Sequence, residues 1–322
     1  MINKIITMPK VELHLHLDGS LSIPLARKIN DESINNLCNK MIAPSSCKDL
    51  TEYLDKFAYP NKLLCNKINI KLFTKELIRY LTEQNVIYAE IRFSITKIME
   101  NGLNGEEILD TMIGVINEAP IKVNLILCLM RGDTFENNAN VIKLANAYLG
   151  KGVGGVDLAG DEINYPFNNY IELFNLVREF NIPYTIHSGE VTEKDLIEVL
   201  NYGTKRIGHG IKCINNTELM NKIIEQDILL EVCPTSNVHT KNVDNYLNHP
   251  IRKLMNNNVK VCLNTDNVTV SNISLINEYL KLYNMFGFNL DDFKKMNLNA
   301  INYAFISESE KDELKRKIED FN

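Results

Sequence analysis

The sequence predicts an α/β fold in which eight parallel strands close into a barrel within one domain, with a helical insertion after the first strand. Three observations lead there. From Ile121 onward, short apolar and often β-branched runs alternate with longer stretches of helical periodicity, the pattern of repeated βα units. Eight such strand-like runs can be named along the chain. Runs such as Ile228-Leu229-Leu230-Glu231-Val232-Cys233 show little polar alternation, which suits strands covered on both faces.

The first strand is expected at Val11–Leu17. The connection from Asp18 to Asn85 is too long for one crossover helix, and helical spacing recurs near Ile23–Asn30, Asp49–Tyr59 and Ile70–Glu83. An insertion at about residues 19–85 lies beyond the C-terminal end of its strand, where barrel enzymes carry active-site covers, so it is expected to be a lid. Further strands are expected at Val86–Phe93, Ile121–Met130, Val153–Leu158, Ile182–His187, Arg206–His209, Ile228–Val232 and Val259–Asn264. Helix-length segments such as Asn169–Phe180 and Glu193–Leu200 separate them. The tail Ser307–Phe321 places opposite charges at i,i+4 spacing and reads as a solvated closing helix.

The 322 residues are 45% hydrophobic and 24% charged, an ordinary globular composition that excludes disorder. A net charge of −6, without basic runs interleaved with aromatics, argues against a nucleic-acid partner. The strongest apolar stretch, Val123–Met130, is closed by Arg131 and is far shorter than the roughly 20 residues of a membrane helix. The first ten residues lack the apolar core and cleavage site of a secretion signal, so a cytoplasmic location is expected. Seven cysteines (Cys38, Cys47, Cys65, Cys128, Cys213, Cys233, Cys262) form no CxxC pair and read as buried reduced thiols.

Of six histidines, four lie in or at the ends of expected strands: His14, His16, His187 and His209. Residues two apart in a strand share a face, so His14 and His16 project into the barrel while Leu13, Leu15 and Leu17 face the helices. Adjacent buried imidazoles need separate donors or a shared cation, and a divalent ion satisfies both lone pairs at about 2.0–2.1 Å. His187 and Asp266, each at a strand's C-terminal end, complete a candidate set of three histidines and a carboxylate. Imidazole-rich ligands favour zinc, with iron, nickel or cobalt as alternatives. The fourth strand offers no bridging ligand at its tip, so one ion per chain is expected. Such an ion lowers the pKa of bound water from about 15.7 toward 7. His209, between Gly208 and Gly210, is placed to orient or deprotonate that water. Glu190, three residues after His187, is a candidate proton shuttle if burial raises its pKa; otherwise it is an ordinary carboxylate at a helix N-terminus.

The motif order adds a family. Met8-Pro9-Lys10-Val11-Glu12-Leu13-His14-Leu15-His16-Leu17-Asp18-Gly19-Ser20-Leu21 is followed by Asp157-Leu158-Ala159-Gly160-Asp161-Glu162 and His187-Ser188-Gly189-Glu190. Arg206-Ile207-Gly208-His209-Gly210, Cys233-Pro234-Thr235-Ser236-Asn237 and Leu263-Asn264-Thr265-Asp266 complete the series. Over nearly its whole length the chain resembles the adenosine deaminase family of the amidohydrolase superfamily. The resemblance implies a TIM barrel holding one Zn2+ on His14, His16, His187 and Asp266, and a small purine nucleoside as partner. It implies Glu190 as the proton donor to purine N1 and His209 as the residue that positions the attacking water. It also implies His16, Asp18, Gly160 and Asn267 on the substrate, with Gly160 N–H at purine N3 and Asp18 on the ribose hydroxyls. Leu50, Tyr53, Leu54 and Phe57 resemble the family's apolar lid.

The family's commoner pattern has two adjacent aspartates where this chain has Asp266-Asn267, and a proline where it has Val268. An amide NH2 donates to purine N7 at any pH, whereas a carboxyl must first be protonated. The expected reaction is zinc-dependent hydrolysis of adenosine and 2′-deoxyadenosine to the inosine products and ammonia. Adenine or aminofutalosine deamination is the alternative. Nucleotides rank lower, because no lysine or arginine cluster lies near Asp18 in the sequence. A metal-dependent amide hydrolase and an inactive nucleoside-binding barrel rank lower still. The HxE and PCxxC pattern of the cytosine-type zinc deaminases is absent.

Overall fold

A computed structural model of the chain describes residues 1–44 and 47–321. Its centre is a sheet of eight parallel strands in sequential order. They are β1 (Lys10–His16), β2 (Val86–Phe93), β3 (Lys122–Met130), β4 (Val153–Ala159), β5 (Tyr184–Ser188), β6 (Arg206–His209), β7 (Leu229–Val232) and β8 (Lys260–Leu263). Helices follow the strands and cover the outside, giving a single-domain TIM barrel as the sequence predicts. The strands start and end within two residues of the expected bounds.

The barrel closes at the rim. Asp266 N–H donates to His14 C=O at 2.9 Å, and His16 N–H donates to Asp266 C=O at 2.7 Å. Lower down, side chains replace the missing ladder: Asn264 and Asn297 accept from Leu13 N–H and Val11 N–H. The backbone contacts that shut the barrel therefore also fix where His14, His16 and Asp266 point.

The outward side chains of β1 behave as expected. Val11 and Leu13 pack with Ala300, Ile301 and Ala304, while Leu15 and Leu17 join the main apolar core. The helix Glu308–Glu319 opens with a capping box between Ser307 and Glu310. It is not simply solvated: Leu314 and Ile318 are buried in the cluster that contains Val11 and Leu13. Its charge pattern hid an i,i+4 apolar pair that seals the barrel floor.

The insertion between β1 and β2 holds helices Ile23–Asn30, Ile34–Met41, Leu50–Leu54, Ala58–Leu63 and Lys67–Glu83, with a 3-10 turn at Asp55–Phe57. The helix expected over Asp49–Tyr59 is thus broken in two. Pro60 explains the break, because it lacks an N–H and is tolerated only in the first turn of the helix that restarts at Ala58. Ser45 and Ser46, inside this stretch, lie outside the described residues. Among the described residues no helix is long and apolar enough to cross a membrane. All seven cysteines are free, but Cys65 is exposed and Cys38 half-buried, which corrects the expectation that all would be buried. Both lie in the helical insertion, outside the strands that enclose Cys128 and Cys262.

Candidate active site

The C-terminal ends of the strands open into a cavity of about 590 Å3. Its walls include His16, Asp18, Gly160, His187, Glu190, His209, Asp266 and Asn267, from five different strand ends. His14 lies just beneath them, fully buried. Every residue singled out from the sequence is therefore in or directly under one cavity.

One ligand atom from each of His14, His16, His187 and Asp266 falls within 4.8 Å of the others. His16 Nε2 is 3.3 Å from His187 Nε2, and Asp266 Oδ1 is 3.4 Å from His16 Nε2 and 3.5 Å from His14 Nε2. Ligands at about 2.0–2.1 Å around a tetrahedral ion would sit about 3.3–3.4 Å apart, so the spacing fits a divalent cation. Tautomers agree. His14 Nδ1 lies 2.9 Å from Glu231 Oε2 and His187 Nδ1 lies 2.8 Å from Asp157 Oδ2. Carboxylates there hold the protons on Nδ1 and leave Nε2 lone pairs facing the common point, the usual support of metal-bound histidines. His14 Nε2 is buried with no hydrogen-bond partner. Ser236 Oγ donates to Asp266 Oδ2 at 2.6 Å, which turns Oδ1 toward the imidazoles.

Below the histidines lies a buried charge network. Arg92 reaches Asp157 at 3.0 Å and Glu231 at 2.8 Å, and Arg206 reaches Glu231 and Glu90 at 2.7 Å each. With Asp266, four carboxylates face two guanidiniums, a surplus of two negative charges that a divalent cation would neutralise. Isolated buried charge is strongly unfavourable, so this surplus independently supports a cation site. Sequence reasoning gave these network residues no role, although a signal existed. Glu90, Arg92, Asp157, Arg206 and Glu231 are charged residues within runs too apolar for a solvated strand, and such charges need partners.

Backbone strain concentrates here. Asp266 and His209 have φ of 62° and 65°, in the left-handed region that side chains with a Cβ disfavour. His209 ends β6 and Asp266 lies three residues past β8, and each makes a sharp turn at the mouth of the barrel. Gly208 is needed for close approach: a Cβ there would lie 3.0 Å from the His14 ring and 3.2 Å from His187 Cα.

Glu190 is buried, and desolvation, followed by repulsion from Asp266 and Glu162, pushes its carboxyl up to about 8. Oε1 accepts from Thr240 Oγ1 at 3.0 Å and Asn242 Nδ2 at 3.1 Å, while Oε2 lies 3.6 Å from His209 Nε2. A proton on this carboxyl therefore belongs on Oε2. The turn carrying Glu190 is clamped by Glu162, whose Oε1 accepts from Val191 N–H and Thr192 N–H at 2.6 Å each. Burial raises Asp18 to about 7, and its Oδ1 has no partner. Asn267 is buried with Oδ1 likewise unpartnered, and a Cβ on Gly19 would collide with that oxygen at 1.7 Å.

Leu50, Tyr53, Leu54 and Phe57 all line the cavity, although they come from a short helix and a 3-10 turn. Tyr53 Oη is 2.7 Å from Ser271 Oγ, tying this wall to the loop after β8. Lys62 and Lys97 also line the cavity. The lack of a basic cluster near Asp18 in sequence therefore does not hold in space, because the helical insertion and the helix after β2 bring two lysines to the same opening. Lys97 is paired with Glu100 at 2.7 Å, and among the described residues Lys62 pairs with no carboxylate.

Known proteins resemble this chain in sequence and in fold. A family model described as adenosine deaminase matches residues 9–321. Adenosine deaminase of Clostridium acetobutylicum is 38% identical over 330 aligned positions, covering 98% of this chain and 98% of the relative. That of Clostridium perfringens is 38% identical, covering 98% of this chain and 99% of its own. Among solved structures, adenine deaminase from Arthrobacter aurescens superposes with a TM-score of 0.89 at 22% identity, covering 98% of this chain and 99% of its own. N6-methyl-AMP deaminase from Arabidopsis thaliana gives 0.86 at 24% identity, covering 99% and 98%. At those identities the two structures speak for the fold alone. The family match and the bacterial relatives settle the rest: the chain is a hydrolase and belongs to the adenosine deaminase family.

Proposed function

We propose that this protein hydrolyses adenosine and 2′-deoxyadenosine to inosine and 2′-deoxyinosine, releasing ammonia. The observation that carries the reading is the convergence of a carboxyl with a raised pKa, a histidine outside the ligand set and a four-ligand cation site on one cavity. The family supports the same reaction. His14, His16, His187 and Asp266 would hold one Zn2+, and the ion would supply a coordinated water with a pKa lowered toward about 7.

The chain's own residues carry the remaining chemistry. Glu190, protonated on Oε2 at neutral pH, donates to purine N1 and makes C6 more electrophilic. At C6 a C–O bond forms to water oxygen and the C–N bond breaks: one water proton leaves on ammonia, the other returns to Glu190, and the proton Glu190 gave to N1 stays on the C6=O, N1–H product. His209 orients the attacking oxygen. Asn267 donates its amide to N7, Gly160 N–H meets N3, and His16 and Asp18 face the sugar side. Leu50, Tyr53, Leu54 and Phe57 form an apolar lid that excludes water from the base. Free thiols fit a cytoplasmic enzyme of purine salvage.

A nucleoside 5′-monophosphate is the second reading, favoured by Lys62 and Lys97 on the cavity wall. Lys97 already faces Glu100, which weakens it. The test is the fall in ultraviolet absorbance as the 6-amino group is lost from adenosine, deoxyadenosine, adenine, AMP and aminofutalosine, with zinc-loaded protein. Turnover of the nucleosides, abolished by chelation, is the expected result. Turnover of AMP alone would replace the proposal with the second reading, and turnover of none would overturn both.

A further inference from the structure

Behind His209, away from the cavity, runs a chain of hydrogen bonds whose direction is fixed at its far end. Helix Ile251–Asn256 begins after Pro250, and the N–H of Ile251 is one of the orphan donors of a helix N-terminus. It donates to His249 Nδ1 at 3.2 Å. His249 is buried, and desolvation holds its imidazole down to about 3, so the ring is neutral. A neutral imidazole that accepts at Nδ1 must carry its proton on Nε2. His249 Nε2 is 3.1 Å from Asn237 Oδ1, so it donates there. This fixes the orientation of the fully buried Asn237 amide, whose Nδ2 faces His209 Nδ1 at 3.0 Å. His209 Nδ1 then accepts, and its proton sits on Nε2.

Amide and imidazole orientations are usually ambiguous, but a backbone N–H cannot be reversed and it starts this chain. At the other end His209 Nε2 is buried without a hydrogen-bond partner, on the side of His14, His187 and the cavity, so its proton is free for an oxygen there.

We infer that Asn237 and His249 are positioning residues that set the tautomer of His209, so that it offers a donor N–H from Nε2 to the reacting oxygen. The inference rests on the proposed deaminase reading for its consequence in turnover, though not for the tautomer itself. It narrows what His209 does. With its Nε2 proton in place, His209 orients and stabilises oxygen by donating, and does not begin as the base that removes the water's proton. The wrong tautomer of a catalytic histidine is worth on the order of 10^4 in kcat in a serine protease whose orienting Asp is replaced by Asn.

The test uses zinc-loaded, 15N-histidine-labelled protein and the long-range 15N–1H correlations that separate Nε2–H from Nδ1–H imidazoles, with His209→Gln identifying the resonance. Wild type should show His209 as Nε2–H. Asn237→Asp is isosteric and presents only acceptors, so His209 should become Nδ1–H or doubly protonated. Its kcat for adenosine should fall at least about 100-fold with KM changed far less and zinc content unchanged. His249→Phe removes the donor and should mix the tautomers, and His249→Gln, which restores a donor to Asn237 Oδ1, should recover activity. Should His249→Phe fail to fold, Asn237→Asp and the wild-type spectrum still decide. An Nδ1–H wild type would overturn the inference, as would an unchanged tautomer with kcat within about threefold in Asn237→Asp. Wild-type protein that shows Nε2–H yet leaves adenosine untouched would support the tautomer relay and sink the substrate reading instead.

Discussion

Glu231 holds the floor of the cation site, and replacing it with Gln tests that floor directly. Its carboxylate meets four donors: His14 Nδ1 at 2.9 Å and Arg92 Nη2 at 2.8 Å on Oε2, Arg206 Nε at 2.7 Å and Thr185 Oγ1 at 3.0 Å on Oε1. Gln has one acceptor oxygen and one NH2, so whichever way it turns, an NH2 faces a guanidinium. If the NH2 faces Oε2's former partners, His14 must also surrender its Nδ1 proton and place it on Nε2, where the cation would bind. Removing one partner of a buried ion pair costs about 3–5 kcal/mol, and removing the support of a metal-bound histidine weakens affinity about 10–100-fold. The chelated protein should therefore lose about 3–5 kcal/mol of unfolding free energy, read from urea titrations. The zinc Kd, from competition with a fluorescent chelator, should rise about 10–100-fold. A Kd within about twofold of wild type, in a protein that is measurably less stable, would falsify the view that Glu231 fixes the His14 tautomer.

Other outcomes follow from the same geometry. Glu190→Gln should bind zinc normally yet lose most turnover, about 10^2–10^4-fold, because an amide cannot deliver a proton to N1; near wild-type rates would sink its assigned role. Asn267→Asp should retain deamination with an altered pH profile, since a carboxyl donates to N7 only when protonated; an identical profile would mean that this residue does not meet the base. Burial, with repulsion from Asp195, raises Glu162 from 4.5 to about 7, so its neutral form is favoured in the folded state. Stability from this group is full below pH 4.5 and declines as pH rises to about 7, by about 1.4 kcal/mol per pH unit. Glu162→Gln keeps an acceptor for Val191 and Thr192 and should flatten that decline in the chelated protein, and an unchanged slope in denaturant midpoints would place the titration elsewhere. Gly208→Ala should lower zinc affinity, since its methyl would press on His14 and His187; tight binding measured by the same competition assay would show that the rings can give way.

The barrel was legible because the parallel strands, covered on both faces, wrote themselves as apolar runs at βα spacing. The candidate ligand set was legible because strand periodicity and strand ends are local properties: His14 and His16 share a face by alternation, His187 and His209 lie at strand ends, and Asp266 lies three residues past β8. The broken helix at residues 50–63 was missed because apolar spacing continued across the 3-10 turn at Asp55–Phe57. The burial of Leu314 and Ile318 was missed because two apolar residues among charges leave little amphipathic signal.

By itself, then, the sequence determined the fold class, the candidate cation ligands and the candidate acid Glu190, all of which follow from period, spacing and motif order along the chain. Tertiary structure alone decided the protonation geometry. That Glu231 and Asp157 fix the tautomers of His14 and His187, that Glu162 and Asp266 raise Glu190 with burial, and that His249 acts on His209 through Asn237 depend on contacts between strands and loops far apart in sequence. The physical reason is that a proton's position is set by the nearest donor, acceptor or charge within a few ångströms, and closing the barrel is what brings those neighbours together.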